Sequence, residues 1–162
     1  MFEKIVTKIL RSLCFIMFVV MIVVVFAQVM LRYFFHAPIA WSDELSRLML
    51  VWVSFLGVTL VHFSKAGHPA VKALVQKFSL RTQKIIDIII NAILAIGFIV
   101  IFNASLNYTL ANTRLVSAVL HYPNALKYAV VPLSMFLMAI KSIFNLKNDI
   151  KALSSSDTTD RK

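Results

Sequence analysis

The sequence predicts an all-α integral membrane protein with four transmembrane helices. Of its 162 residues 60% are apolar, and the mean hydropathy is +0.83, whereas soluble domains are about 45–50% apolar. The apolar residues fall into four blocks, each long enough to cross a hydrocarbon core of about 30 Å. We therefore expect one membrane domain over residues 1–144 and a disordered cytoplasmic tail over residues 145–162.

The first span is predicted at about residues 13–31, where Gln28 is the strongly polar residue. Because no short apolar stretch with a small-residue cleavage site is evident, we interpret this segment as an uncleaved span rather than a signal peptide. Gln28 has two interpretations. It either hydrogen-bonds a neighbouring helix or is solvated one turn from the membrane surface.

The second span, at about residues 47–63, continues from a polar segment without a helix breaker. Ser42 is a candidate N-cap, and Asp43 and Glu44 follow it in the first turn, where the helix dipole favours anions. Arg47 lies at i+4 from Asp43 and at i+3 from Glu44, so either carboxylate can pair with it. The segment predicts a carboxylate–guanidinium cluster at one membrane surface, which is either a solvated ion pair or a contact with a partner subunit.

A short amphipathic helix at the membrane surface is predicted between the second and third spans. Apolar residues recur there at i, i+3, i+4 and i+7, at Val71, Leu74, Val75 and Phe78. The cations of the same stretch occupy other faces, at Lys72, Lys77 and Arg81. This pattern is typical of a helix that lies on an anionic lipid surface.

The third and fourth spans are predicted at about residues 85–106 and 125–144. Asn91 and Ala95 share one face of the third span, and a small, polar face of this kind usually seats a neighbouring helix. Pro132 in the fourth span lacks a backbone N–H, so we expect it to loosen or kink that helix.

The distribution of positive charge predicts the orientation. Thirteen of the seventeen Lys and Arg residues lie on the side that holds both termini and the surface helix. By the positive-inside rule, both termini are therefore cytoplasmic.

Motifs of nucleotide-binding, redox and hydrolytic sites are not found, so we expect neither an enzyme nor a cofactor. The four His residues do not face each other from the middle of different spans, as haem ligation would need. The competing function is a stand-alone homo-oligomeric channel or small exporter, which would need polar side chains around a pore at mid-span. A protein with polar groups at its surfaces and helix seams is better suited to packing against a partner.

Several motifs in fixed order resemble the small membrane subunit of tripartite ATP-independent periplasmic (TRAP) transporters. The first group is Gln28-Val29-x-x-Arg32-Tyr33-Phe34, Trp41-x-x-Glu44-x-x-Arg47 and Trp52-x-x-Phe55-x-Gly57. The second group is His68, the run Leu120-His121-Tyr122-Pro123, and then Tyr128 and Pro132. The resemblance covers roughly residues 25–135.

The resemblance implies a role as a scaffold. In such transporters a soluble periplasmic binding protein delivers an organic acid, of the C4-dicarboxylate or sialic acid class, to a membrane complex driven by a sodium gradient. The large membrane subunit holds the substrate and sodium sites and moves as an elevator, and the small subunit packs along it in the bacterial inner membrane.

Three sets of site residues follow as hypotheses. The seam to the large subunit is predicted at Trp41, Glu44, Arg47, Trp52 and Gly57. Docking of the binding protein is predicted at Arg32, His36, Arg114 and His121. Contact with membrane lipids is predicted at Lys72, Lys77 and Arg81.

Overall fold

A computed structural model of the chain describes residues 2–36, 40–64 and 80–159. These residues form helices α1 Phe2–Phe34, α2 Ala40–Phe63, α3 Leu80–Ala111, α4 Asn124–Tyr128 and α5 Val130–Thr159. The described part contains no strand, so the prediction of an all-α protein is confirmed. The predicted surface helix falls almost entirely on residues 65–79, outside the described residues, and its last residue, Arg81, belongs to α3.

Four helical segments are long and apolar enough to cross a membrane: Ile5–Phe34, Ala40–Phe63, Thr82–Ala111 and Asn124–Lys151. Each contains one of the predicted spans and extends beyond it. The helices are longer because hydropathy marks only the hydrocarbon-facing part of a helix, and neither Pro nor Gly interrupts α1. Helix α1 ends where His36 adopts a left-handed backbone with φ of 50°, a common way to terminate a helix.

The fourth membrane segment is interrupted near its start, as Pro132 predicts. The interruption falls at Ala129, between α4 and α5. Pro132 is the third residue of α5, where a missing N–H costs little because the first turn has no intrahelical acceptor for it. Helix α5 then continues past residue 144 to Thr159, although residues 145–162 are predicted to be disordered. Residues 145–159 include neither Pro nor Gly, so nothing in the backbone stops the helix.

The long helices pack side by side in the order α1, α2, α5, α3. Helix α4 directly precedes α5 and contacts α2 and α3, which flank α5 in this row. The contact between α3 and α5 is the most extensive, and small buried residues, Ala95 on α3 and Ala139 on α5, let the two backbones approach. The result is an open row of helices rather than a closed bundle.

Polar side chains join neighbouring helices of the row. Gln28 on α1 donates a hydrogen bond from Nε2 to Asp43 Oδ1 on α2, at 2.8 Å, which decides its interpretation in favour of a contact between helices. Asn91 on α3 donates from Nδ2 to Asp149 Oδ2 on α5, at 2.9 Å, so the polar face of the third span does seat a neighbour.

His62 connects three helices. Its Nε2 lies 3.0 Å from the Oγ of Ser142 on α5, and both residues are buried. The imidazole also meets the Phe98 ring of α3 edge-on, with 5.3 Å between the ring centroids. The imidazole therefore serves as a polar contact between helices.

Candidate functional site

The connection between α3 and α4 forms a hairpin-like turn, here called the outer loop (residues 112–123). A single antiparallel bridge joins Val116 to Pro123. Ser117 N donates to Tyr122 O at 2.9 Å, and Asn124 N donates to Leu115 O at 2.7 Å. The loop thus has regular backbone pairing at its base and presents residues 118–121 at its tip.

Glu44 of α2 holds this tip. Its carboxylate accepts hydrogen bonds from the Oγ of Ser117, from Val119 N at 3.1 Å and from Leu120 N at 2.9 Å. Hydrogen bonds to an ionised carboxylate are stronger than those between neutral groups. One side chain therefore fixes the outer loop on the end of α2.

The spacing in the sequence would allow Glu44 or Asp43 to pair with Arg47, but neither does so in the structure. Within the described ranges neither carboxylate forms an ion pair with the guanidinium, because Asp43 accepts from Gln28 and Glu44 accepts from the outer loop. Backbone N–H groups present their protons without ordering a long side chain, so they bind the carboxylate at a smaller entropic cost than arginine would.

His121 is the last residue of the loop tip, and Tyr122 directly follows it. His121 has φ of 52°, and its Nδ1 lies 2.9 Å from Val119 O. This left-handed conformation lets the chain reverse direction before Pro123. Burial and the nearby negative charge of Glu44 raise the pKa of Tyr122, which keeps its phenol protonated.

A cleft of about 220 Å³ lies between the outer loop, α2 and α4. Its walls are Glu44, Arg47, Val116, Ser117, Ala118, Tyr122, Asn124 and Lys127. Lys127 Nζ lies 5.7 Å from the centroid of the Tyr128 ring, which in turn packs edge-on against Tyr108. The cleft combines two cations with a carboxylate whose hydrogen bonds are already made.

The five residues predicted for the large-subunit seam occupy different environments. Glu44 and Trp52 make contacts within the chain, since Trp52 Nε1 donates to Leu126 O at 3.1 Å. Trp41 is 43% exposed, and Arg47 is also exposed. Gly57 faces open space, because a Cβ atom placed on it would meet no atom within 4 Å.

The residues predicted to dock the binding protein, Arg32, His36, Arg114 and His121, are all exposed. They lie at the end of the molecule where α1 and α3 finish and where α2 begins. Of the predicted lipid contacts, Lys72 and Lys77 fall outside the described residues, and Arg81 is the second residue of α3.

Sequence reasoning missed the outer-loop residues that bind Glu44, and it missed Lys127. Two of the three donors to Glu44 are backbone N–H groups, which every residue except proline has, so the sequence does not reveal them. In the described part of the chain, no group of three or more His, Cys, Asp or Glu side chains is placed to hold a metal ion.

Comparison with known proteins assigns the family. Residues 21–152 match the sequence model of the tripartite ATP-independent periplasmic transporters, DctQ component. Two putative TRAP transporter small permease proteins of Haemophilus influenzae are 33% identical over 100 residues and 36% identical over 98 residues. These alignments cover 62% and 60% of the present chain, and 62% and 59% of the relatives.

A longer relative, the isethionate TRAP transporter permease protein DctMQ of Oleidesulfovibrio alaskensis, is 25% identical over 127 residues. That alignment covers 75% of the present chain but 19% of the relative. With four apolar helices and a family match over most of its length, this multi-pass membrane protein belongs to the DctQ component family of the tripartite ATP-independent periplasmic transporters.

Proposed function

We propose that this chain is the non-catalytic scaffold subunit of a sodium-coupled TRAP transporter that imports organic acids. It packs against a large membrane subunit in the bacterial inner membrane, with both termini in the cytoplasm, and its outer end helps to dock a periplasmic binding protein. The observation that carries this proposal is the open row of helices, in a chain that belongs to the DctQ family.

A row of helices has two broad faces, and the rest of the described chain leaves much of each uncovered. Apolar side chains such as Phe15 on α1, Val58 on α2 and Ile96 on α3 are more than half exposed. Lipid covers such faces readily, and a partner helix covers them equally well when small residues allow a close approach. A substrate path needs an enclosed interior, so this geometry favours a scaffold over a pore within one chain.

The relatives support a large partner and an acidic substrate. In the isethionate permease protein, the part similar to this chain is about a fifth of a much longer polypeptide. A 44-residue match, 36% identical, also links this chain to the sialic acid TRAP transporter permease protein SiaT of Haemophilus influenzae. Sialic acid and isethionate are both organic acids, which supports the substrate class without choosing a member of it.

For the seam to the large subunit and for the docking of the binding protein, we propose the same residues as in the sequence analysis. The contacts within the chain suggest a more specific role for some of them. In the seam, Trp41, Arg47 and Gly57 are open for contact with the large subunit, while Glu44 and Trp52 shape the surface from within. At the outer end, the exposed cationic and imidazole groups, at Arg32, His36, Arg114 and His121, suit an acidic surface on the binding protein.

Replacing Gly57 with leucine should weaken assembly with the large subunit. A Cβ atom at this position meets no atom of the chain, so the isolated subunit accommodates the larger side chain. Overpacking a close interface costs typically 1–3 kcal/mol, or roughly a tenfold loss of affinity or more. The measurement is the amount of large subunit that copurifies with the tagged chain.

Gly97→Leu is the matched control. Gly97 is also open, but it lies on α3, away from the proposed seam. Equal recovery of the large subunit with Gly57→Leu and with the unmodified chain would show that α2 does not form the seam.

The function as a whole is tested by coexpressing the tagged chain with the permease and binding-protein genes that neighbour it. We expect a larger multi-span subunit at one to one, and sodium-dependent uptake of an organic acid that is lost when this chain is deleted. Recovery of a homo-oligomer alone, with transport activity of its own, would overturn the proposal in favour of a channel or exporter.

A further inference from the structure

The outer cleft carries positive charge that the described chain does not balance. Arg47 and Lys127 approach it from α2 and α4, and within the described residues neither cation forms an ion pair. The one carboxylate in the wall, Glu44, has its charge directed to donors of the outer loop. Tyr122 and Asn124 add polar groups to the same wall. The cleft therefore suits a single anionic group.

Exposed apolar surface begins directly beside these cations. Leu50 follows Arg47 at i+3, on the same face of α2, and is 55% exposed. Val58 continues this face two turns further along the span and is also 55% exposed. Beside Lys127, Leu126 is 45% exposed. A ligand that combines a charged head with apolar chains matches both parts of this surface.

The position along α2 favours a ligand from the membrane. Arg47 stands where the polar start of the helix gives way to the apolar span, and the Tyr108–Tyr128 ring pair lies beside Lys127. Aromatic and basic side chains together are typical of the lipid headgroup level. A cleft of about 220 Å³ has room for a phosphate and part of a glycerol, though not for a folded partner.

We propose that the outer cleft binds the headgroup phosphate of an anionic phospholipid, such as phosphatidylglycerol, between Arg47 and Lys127. The acyl chains run along the exposed face of α2 past Leu50 and Val58. Arginine binds a phosphate through two parallel N–H donors, and lysine adds a second positive charge. The proposal needs only this chain and a bilayer, and it places the lipid at the edge of the surface proposed for the large subunit, because Arg47 belongs to both.

The test uses the two tryptophans of the chain as reporters. The full-length chain is reconstituted into phosphatidylcholine vesicles that contain increasing fractions of phosphatidylglycerol brominated on its acyl chains. Trp52 lies on α2 five residues past Arg47, level with the proposed acyl chains, so a lipid held in the cleft brings bromine near it and quenches its fluorescence. Trp41 lies six residues before Arg47, away from the acyl chains, and should be quenched less. Brominated phosphatidylcholine measures the non-specific background.

We expect the unmodified chain to prefer phosphatidylglycerol over phosphatidylcholine by roughly tenfold, as a charged pair of contacts worth about 1.4 kcal/mol would give. The double variant Arg47→Gln/Lys127→Gln should bring this preference close to one. Arg47→Lys/Lys127→Arg, which keeps both charges, should retain most of it. Arg11→Gln/Lys147→Gln removes the same charge from exposed positions outside the cleft and should leave this preference unchanged.

Three results would overturn the proposal. The first is an unmodified chain with no preference for the anionic lipid. The second is a preference that survives in Arg47→Gln/Lys127→Gln. The third is full displacement of the lipid by millimolar inorganic phosphate, which would assign the cleft to a free anion rather than to a membrane lipid.

Discussion

Glu44→Ala is expected to release the outer loop from α2 while the long helices stay assembled. Ser117 Oγ, Val119 N and Leu120 N would all lose the acceptor that now holds them. The packing between α2 and α5 lies elsewhere, around the buried residues Leu56 and Val130, so it should persist. The loop would then exchange between conformations while its two ends remained fixed by α3 and α4.

Hydrogen exchange measures this release directly. The amides of Val119 and Leu120 should exchange roughly tenfold faster or more in Glu44→Ala, because local opening no longer breaks hydrogen bonds to a carboxylate. In Glu44→Gln these amides should exchange faster than in the unmodified chain and more slowly than in Glu44→Ala. The glutamine side chain keeps one acceptor oxygen but turns an NH₂ group toward a backbone N–H. The helical circular dichroism signal should be unchanged in both variants.

Asp43→Ala is the control for loss of a neighbouring carboxylate. Asp43 accepts a hydrogen bond from Gln28 of α1 and, within the described residues, makes no hydrogen bond to the outer loop, so its removal should leave exchange at the loop tip unaltered. If the binding protein docks at the outer end, uptake should fall in Glu44→Ala, because His121 would lose its defined position. Slow exchange at Val119 and Leu120 in Glu44→Ala would show that the hairpin pairing alone orders the loop.

The four spans could be predicted from the sequence because an apolar block of about 20 residues has few other stable environments. The ends of the helices could not. Helix α3 begins at Leu80, in a basic stretch that hydropathy excludes, and α5 continues to Thr159 through residues with no breaker. Hydropathy identifies the residues suited to the hydrocarbon core of the membrane, whereas the length of a helix depends on backbone hydrogen bonding.

The partners of Glu44 lie beyond the reach of sequence spacing. Local rules consider residues three and four positions away, which led to Arg47, but the observed donors are 73 to 76 residues distant. The contact of Gln28 with a neighbouring helix was easier to predict, since its partner Asp43 is only 15 residues away across one short connection. The order α1, α2, α5, α3 was also inaccessible, because four apolar helices can pack in many orders with similar hydropathy.

His62→Phe and Ser142→Ala are each expected to lower the thermal unfolding midpoint, and together they should lower it by less than the sum. The imidazole and the hydroxyl are buried and within 3.0 Å, so removing either leaves the other without this partner. Loss of one hydrogen bond between buried side chains in a membrane bundle costs about 1 kcal/mol. Phenylalanine preserves the ring that meets Phe98 edge-on, which limits the loss of packing.

A double-mutant cycle isolates this contact from the rest of the packing. We expect each single variant to reduce the midpoint by about 2–4 °C for every kcal/mol lost, and the double variant to recover part of the loss because both polar groups are then gone. Ser54→Ala is the matched control, since the exposed Ser54 donates only to Leu50 O of its own helix and should shift the midpoint little. Strictly additive losses in the cycle would mean that His62 stabilises the α2, α3 and α5 junction through contacts other than the one with Ser142. The polar contact with Ser142 would then contribute nothing to holding the row of helices together.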